Sequence, residues 1–240
     1  MAISFDVASN GADDSSSPLA WNHTIKNSDC LLVVTITTGS LTSPAVTSAV
    51  TAGGVSMVKV RADQNTAATG SKIETSMWLL QNPPTGTISI SASYSGGSTP
   101  HANGMACSYL GAQRSSYGDA NNGTNGTTTG DKTVSVTTVM DNCWVVGGGQ
   151  NLAGTGATLT ADQTTRVNSS YAPPGSETNV IRMEDTNGVV TPPGATTVGF
   201  VTGGTLNQSY ALSFVSIAPA LVKPSQNTIR PAAFSPGLAR

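Results

Sequence analysis

The sequence predicts an all-β fold: an antiparallel β-sandwich, jelly-roll-like, that ends in an extended, Pro-containing C-terminal arm. Three observations predict it. Val, Ile and Thr recur in short runs punctuated by Gly, Pro, Asn and Asp, which is the pattern of strands joined by turns. No run of helical period bounded by caps appears. One stretch, 87–94, alternates cleanly, with Ile88, Ile90, Ala92 and Tyr94 on one side and Thr87, Ser89, Ser91 and Ser93 on the other, as a half-buried strand must.

In chain order the expected strands are 2–8, 19–24, 30–37, 46–49, 55–62, 73–80, 87–94, 104–110, 132–138, 143–148, 164–169, 179–184, 196–201 and 210–217. Asn82-Pro83-Pro84-Thr85-Gly86 closes one of them, because proline cannot donate to a ladder and Gly86 admits the positive φ that launches the next. In 210–217, Leu212 and Phe214 share one parity and Val215 and Ile217 the other, which requires a bulge or burial on both faces. Asp29-Cys30-Leu31-Leu32-Val33-Val34 resembles Asp141-Asn142-Cys143-Trp144-Val145-Val146, a faint internal repeat that suits two Greek-key halves. Asn121–Gly130 reads as a loop or hairpin tip. Residues 1–218 are expected to form one sandwich domain, and 219–240, with prolines at 219, 224, 231 and 236, the arm.

Of the 240 residues only 10% are charged, the net charge is −2, and the 38% hydrophobic residues are joined by 26 glycines. Typical domains carry roughly 25% charge. Solvation therefore falls to Ser, Thr, Asn and Gln, a surface that loses little on packing against protein. The basic stripe that nucleic acid demands is missing, so no nucleic-acid partner is expected. Met1-Ala-Ile-Ser-Phe-Asp6 lacks the form of a secretory signal, and no stretch approaches the ~18 apolar residues of a span, so no membrane partner is expected either. Cys30, Cys107 and Cys143 are too far apart for a disulfide framework or zinc site and read as buried thiols.

Chemistry is sparse. His23 and His101 have no nucleophile motif beside them. Gly147–Gly156 lacks the lysine of a phosphate loop. Glu184 and Asp185, adjacent in a strand, point to opposite faces and make poor acid/base partners. Asp13-Asp14 reads as a solvated turn, since calcium needs six or more oxygens. No catalytic residue, cofactor or metal is expected, and the chain is not expected to be an enzyme. Trp78 and Trp144 sit among Leu and Val as core residues, while Tyr117 and Tyr171, in loop-like surroundings, are the candidate contacts for a host surface glycan. In the arm, Leu221, Lys223, Ile229, Arg230, Phe234, Leu238 and Arg240 alternate apolar and basic groups and are the candidate assembly contacts.

The order Leu19-Ala-Trp21-Asn-His23-Thr24, Leu31–Val34, Val50-Thr-Ala-Gly-Gly-Val55 and Trp78-Leu-Leu-Gln-Asn-Pro-Pro-Thr-Gly86 resembles a group of β-rich proteins encoded in tailed-bacteriophage genomes. The ending Pro231-Ala-Ala-Phe-Ser-Pro-Gly-Leu-Ala239 resembles their tails, whereas about 117–196 departs from the pattern. The resemblance implies a structural virion protein, either a capsid decoration (cement) protein or a tail- or fibre-associated receptor or glycan-binding module. The expected partners are then the major capsid protein and further copies of the chain, in a virion assembled in the host cytoplasm. Such a location also reconciles an extracellular-type composition with the lack of an export signal.

Overall fold

The computed structural model describes residues 2–27, 29–66, 71–112, 120–152, 157–159, 163–171, 178–202 and 208–220. Within them the chain is all-β and antiparallel. The first half holds β1 (Ser4–Asp14), β2 (Leu19–Ile25), β3 (Cys30–Ser40), β4 (Val46–Ala52), β5 (Val55–Ser56), β6 (Val58–Asn65), β7 (Lys72–Gln81), β8 (Gly86–Ser95) and β9 (His101–Leu110). The second holds β10 (Asn121–Thr128), β11 (Lys132–Thr137), β12 (Trp144–Leu152), β13 (Ala157–Leu159), β14 (Thr164–Tyr171), β15 (Asn179–Asp185), β16 (Ala195–Thr202) and β17 (Gln208–Ile217).

Each half makes two sheets. In the first, an N-inner sheet of order β1-β9-β3-β7-β6 faces an N-outer sheet of order β2-β8-β4-β5; in the second, a C-inner sheet of order β10-β17-β12-β15-β14 faces a C-outer sheet of order β11-β16-β13. The two halves are therefore topological copies, β10 to β13 standing for β1 to β4 and β14 to β17 for β6 to β9, with β5 the extra strand. The likeness reaches the details. A bulge between Lys59 and Arg61 lies opposite Trp78 and Met77, and one between Thr165 and Val167 lies opposite Glu184 and Met183. The Cys30 carbonyl accepts from the Asn82 amide (3.2 Å) and the Cys143 carbonyl from the Val190 amide (2.8 Å). Each contact stands just before a Pro-Pro turn, 83–84 or 192–193. The faint repeat around Cys30 and Cys143 falls on β3 and the entry to β12.

Three apolar clusters separate the sheets and order them N-outer, N-inner, C-inner, C-outer. On β3, Cys30, Leu32, Val34 and Ile36 enter the cluster beneath the N-outer sheet with Trp21, Ile90 and Trp78. Leu31 and Val33, of opposite parity, enter the cluster shared by the two inner sheets, against Trp144, Val146, Ile181, Val215 and Ile217. The third cluster, with Val134, Val198, Phe200, Leu212 and Phe214, lies beneath the C-outer sheet. Strand β17 thus resolves its mixed parity by burial on both faces; it pairs with β10 and β12 without a register shift. Every residue of β3 and of β12 is buried, and each fully buried Leu, Ile or Val adds roughly 1.5–3 kcal/mol relative to exposure.

Two expectations change. Residues 121–128 form the edge strand β10, paired with β17 from Asn121↔Val215 to Thr128↔Gln208. Its composition suits the place it occupies. The Arg61–Asp63 pair lies on the backbone at Gly123, where any Cβ would overlap both side chains. The expected strand 55–62 is split at Met57, whose amide donates to the Val50 carbonyl (2.9 Å) while its side chain is buried.

Trp21 fixes the N-terminal sandwich. Its ring lies flat on Gly11 and Gly104, which face each other across β1 and β9. A Cβ on Gly11 would stand 2.9 Å from the ring, and one on Gly104 closer still. Gly104→Ala should therefore cost about 2 kcal/mol through overpacking, read as a lower urea midpoint with an unchanged slope.

Candidate functional site

Where the charges lie is the first clue to function. Among the described strands, every Asp, Glu, Lys and Arg except Lys132 belongs to an inner sheet, and Lys132 is itself buried. The N-outer sheet carries none. Its solvent face presents Ala20, Asn22 and Thr24 on β2 and Thr87, Ser89, Ser91 and Ser93 on β8, with Thr24 Oγ1 and Thr87 Oγ1 3.2 Å apart. The C-outer sheet repeats this chemistry with Thr133, Ser135 and Thr137 on β11 beside Ala195 and Thr197 on β16. The stack thus ends on both sides in a flat array of small, uncharged, mostly hydroxyl-bearing side chains. Period-two alternation creates it, because the large apolar residues of β2, β8 and β11 point inward, while Val46 and Val55 stay exposed at the β4–β5 edge.

The seam between the inner sheets is the opposite kind of surface. Strand β6 lies beside β10 at one edge and β14 beside β1 at the other, so exchanging the halves exchanges the edges, as in a twofold dimer. Each edge holds a bidentate pair. Arg61 Nε and Nη2 donate to Asp63 Oδ2 and Oδ1 (2.7 and 2.8 Å), and Ser213 Oγ on β17 donates to the same carboxylate (2.6 Å). Arg166 Nε and Nη2 donate to Asp185 Oδ2 and Oδ1 (2.7 and 2.9 Å), where the Tyr109 hydroxyl also donates (2.8 Å). The Arg166 guanidinium lies 4.1 Å from the Phe5 ring centre, and Phe5, Tyr109 and Trp144 continue edge to face. Burial pushes the Tyr109 hydroxyl well above its ordinary value, and the nearby Cys107 and Asp185 add to this, so it serves as a proton donor.

Tyr171 corrects the surface reading. It ends β14 buried, and its hydroxyl donates to Gln150 Oε1 (2.6 Å). Gln150 Nε2 in turn donates to the carbonyls of Thr38 (3.0 Å) and Glu74 (2.6 Å) on the N-inner sheet. Tyr171 therefore ties the seam and presents no face to a glycan, because its ring fills the cluster between the inner sheets. Tyr117 lies outside the described residues. So do Leu221, Lys223, Ile229, Arg230, Phe234, Leu238 and Arg240. The root of the arm is described: Pro219 bridges Ala112, and the Ala220 amide donates to the Gly111 carbonyl (2.7 Å). The chain thus leaves the second half beside the point where it leaves the first. Sequence reasoning missed both this pairing and the segregation of charge, although the second could be read strand by strand.

The remaining candidates have structural partners. Ser9 Oγ is 2.8 Å from His23 Nδ1 and accepts from Trp21 Nε1 (3.1 Å). Burial brings His23 down to about 4, opposed by Asp6, so at neutral pH the ring is uncharged and a weak base. The trio orients Trp21. His101 opens β9 opposite Gly39. Cys30, Cys107 and Cys143 are buried thiols, as expected. Among the described residues no group of three His, Cys, Asp or Glu could hold a metal, and Asp14 Oδ1 caps the Ser16 amide (2.7 Å). Glu184 and Asp185 do face opposite ways, Asp185 into the seam and Glu184 toward β16, where its Oε1 accepts from the Gly199 amide (3.2 Å).

Burial raises the Glu184 carboxyl to about 9, against the Gly199 hydrogen bond and the Arg182 charge that pull it down. The folded form keeps its proton after the unfolded form has lost it. Its contribution is whole below the unfolded value of 4.5 and is lost as pH rises from there through about 9. Glu184→Gln should leave stability unchanged near the acid end and raise it at neutral pH, by on the order of 3 kcal/mol; thermal melts across that window read the difference. Compared with family models, curated proteins and solved structures, the chain matches none.

Proposed function

We propose that this chain is a structural protein of a tailed-bacteriophage virion, a capsid decoration protein that binds and stabilises the major capsid shell. The observation that carries the reading is the pair of charge-free faces at the two ends of the stack. A surface of hydroxyls and small side chains gives up little hydration when covered, and its donors and acceptors can pair with whatever covers it. Two such faces, related by the likeness of the halves, let one molecule touch two neighbours. We read the order β1-β9-β3-β7 against β2-β8-β4-β5, repeated in the second half, as a jelly-roll winding, a type common among viral shell proteins.

In this reading the arm supplies the grip. Its basic and apolar residues, from Leu221 to Arg240, reach a neighbouring subunit from a root held at Gly111 and Ala112. Bound copies stabilise the shell by linkage, since they bind the assembled form alone. The partners are the major capsid protein and other copies of the chain, in a virion built in the host cytoplasm. The glycan-binding alternative draws no support from the described aromatic side chains, which are buried or half-buried.

Undecorated particles mixed with the intact chain and sedimented should carry it down with them. A chain ending at Ala220 should bind them much more weakly, and Ser89→Arg, which sets a charge in the N-outer face, should lower occupancy. Failure of the intact chain to sediment would overturn the capsid reading; equal decoration by the shortened chain would overturn the role of the arm.

A further inference from the structure

The chain contains Asn-Gly at 10–11, 103–104, 122–123, 125–126 and 187–188. We infer that Asn122-Gly123 on β10 is a self-modification site, where the backbone nitrogen of Gly123 displaces ammonia from the Asn122 side chain and water then leaves an aspartate or isoaspartate. Three observations place the reaction there. The Gly123 amide already rests on the group it would attack, donating to Asn122 Oδ1 at 2.9 Å. The carboxamide is held in that orientation from its other end, because Asn122 Nδ2 donates to the Ser135 carbonyl at 2.8 Å. Gly123 also faces away from β17: its carbonyl accepts from Arg61 Nη2 (3.3 Å), and in an antiparallel strand the amide and carbonyl of one residue point the same way. The nucleophilic nitrogen is thus not engaged in the ladder.

The atoms balance with water as the co-reactant. A base removes the Gly123 amide proton, and the nitrogen attacks Asn122 Cγ and forms a new N–C bond. The Cγ–Nδ2 bond breaks, and the nitrogen departs with a proton as ammonia. Water then opens the five-membered imide at either carbonyl, giving aspartate or, with the chain rerouted through the side chain, isoaspartate. Glycine leaves the attack unhindered because it has no Cβ. Asn122 is exposed, so water reaches the imide.

Three of the other four pairs are placed differently. Asn103 is 1% exposed and Gly104 lies under the Trp21 ring. Asn10 is within the β1–β9 ladder opposite Met105. The Asn187 carboxamide is held by Arg166 Nη2 (2.7 Å). At Asn122 the change removes the donor to Ser135, a link between the C-inner and C-outer sheets, and sets a carboxylate against the Ser135 carbonyl. Isoaspartate also adds a backbone atom to an edge strand whose register with β17 has no slack.

The test is peptide mapping of the intact folded chain after incubation in mildly alkaline and in acidic buffer, with aspartate and isoaspartate distinguished by electron-based fragmentation. Conversion at 122 should run several-fold ahead of the other four positions, rise with pH because the amide must lose its proton, and vanish in Asn122→Gln. In urea-unfolded chain the lead of 122 over 125 and 187 should disappear. Conversion led by 125 or 187 in the folded chain, or a lead of 122 that survives unfolding, would overturn the proposal.

Discussion

The fold depends on inner sheets that are apolar on both faces. A sheet with one apolar face is satisfied by one partner layer, but β3, β12 and β17 carry hydrophobic side chains on alternate and on intervening positions. Each inner sheet must therefore be covered twice. Pairing with its own outer sheet satisfies one face, and only the other inner sheet satisfies the second. Four layers follow from this demand, since two outer sheets with a polar side close the stack. The likeness of the halves makes the solution economical: one sheet design, apolar on both sides, meets a copy of itself.

Charge is distributed by the same logic. Outer strands need none, because hydroxyls suffice for their single wet face. Inner strands meet water only at their edges, and there Arg61–Asp63 and Arg166–Asp185 sit, each bidentate and each joined by a hydroxyl from the facing half. Pairs of this kind are not a large net source of stability, because desolvation offsets much of their attraction. Geometry is their contribution. With one at each edge, the inner sheets are held against sliding along directions that apolar contacts alone leave soft.

Strand positions were largely legible because most strands alternate or run apolar, and the conflict of parity in 210–217 pointed to two-sided burial. The doubling of the fold was only hinted at. Cys30 and Cys143, Met77 and Met183, and the prolines at 83–84 and 192–193 mark equivalent places, but short apolar strands tolerate so many residues that little else is shared. Strand β10 was hidden because its cohesion comes from backbone pairing and from side chains of β6, not from its own apolar residues. Tyr171 misled for a related reason. It follows a polar run, yet its hydroxyl's partner Gln150 comes from β12, two strands away in the sheet. The charge-free outer faces were written in the sequence but could not be recognised as faces until the sheets were assigned.

The two inner sheets belong to one chain, joined through residues 113–119. Their meeting is intramolecular, with an effective concentration on the order of millimolar for a short connection. A seam between separate subunits would need enough affinity to form at cellular dilution, which favours dry, apolar contact. This seam is relieved of that requirement. It can give space to half-buried arginines, to the Gln150 amide and to a tyrosine hydroxyl, groups that fix alignment but add little to association.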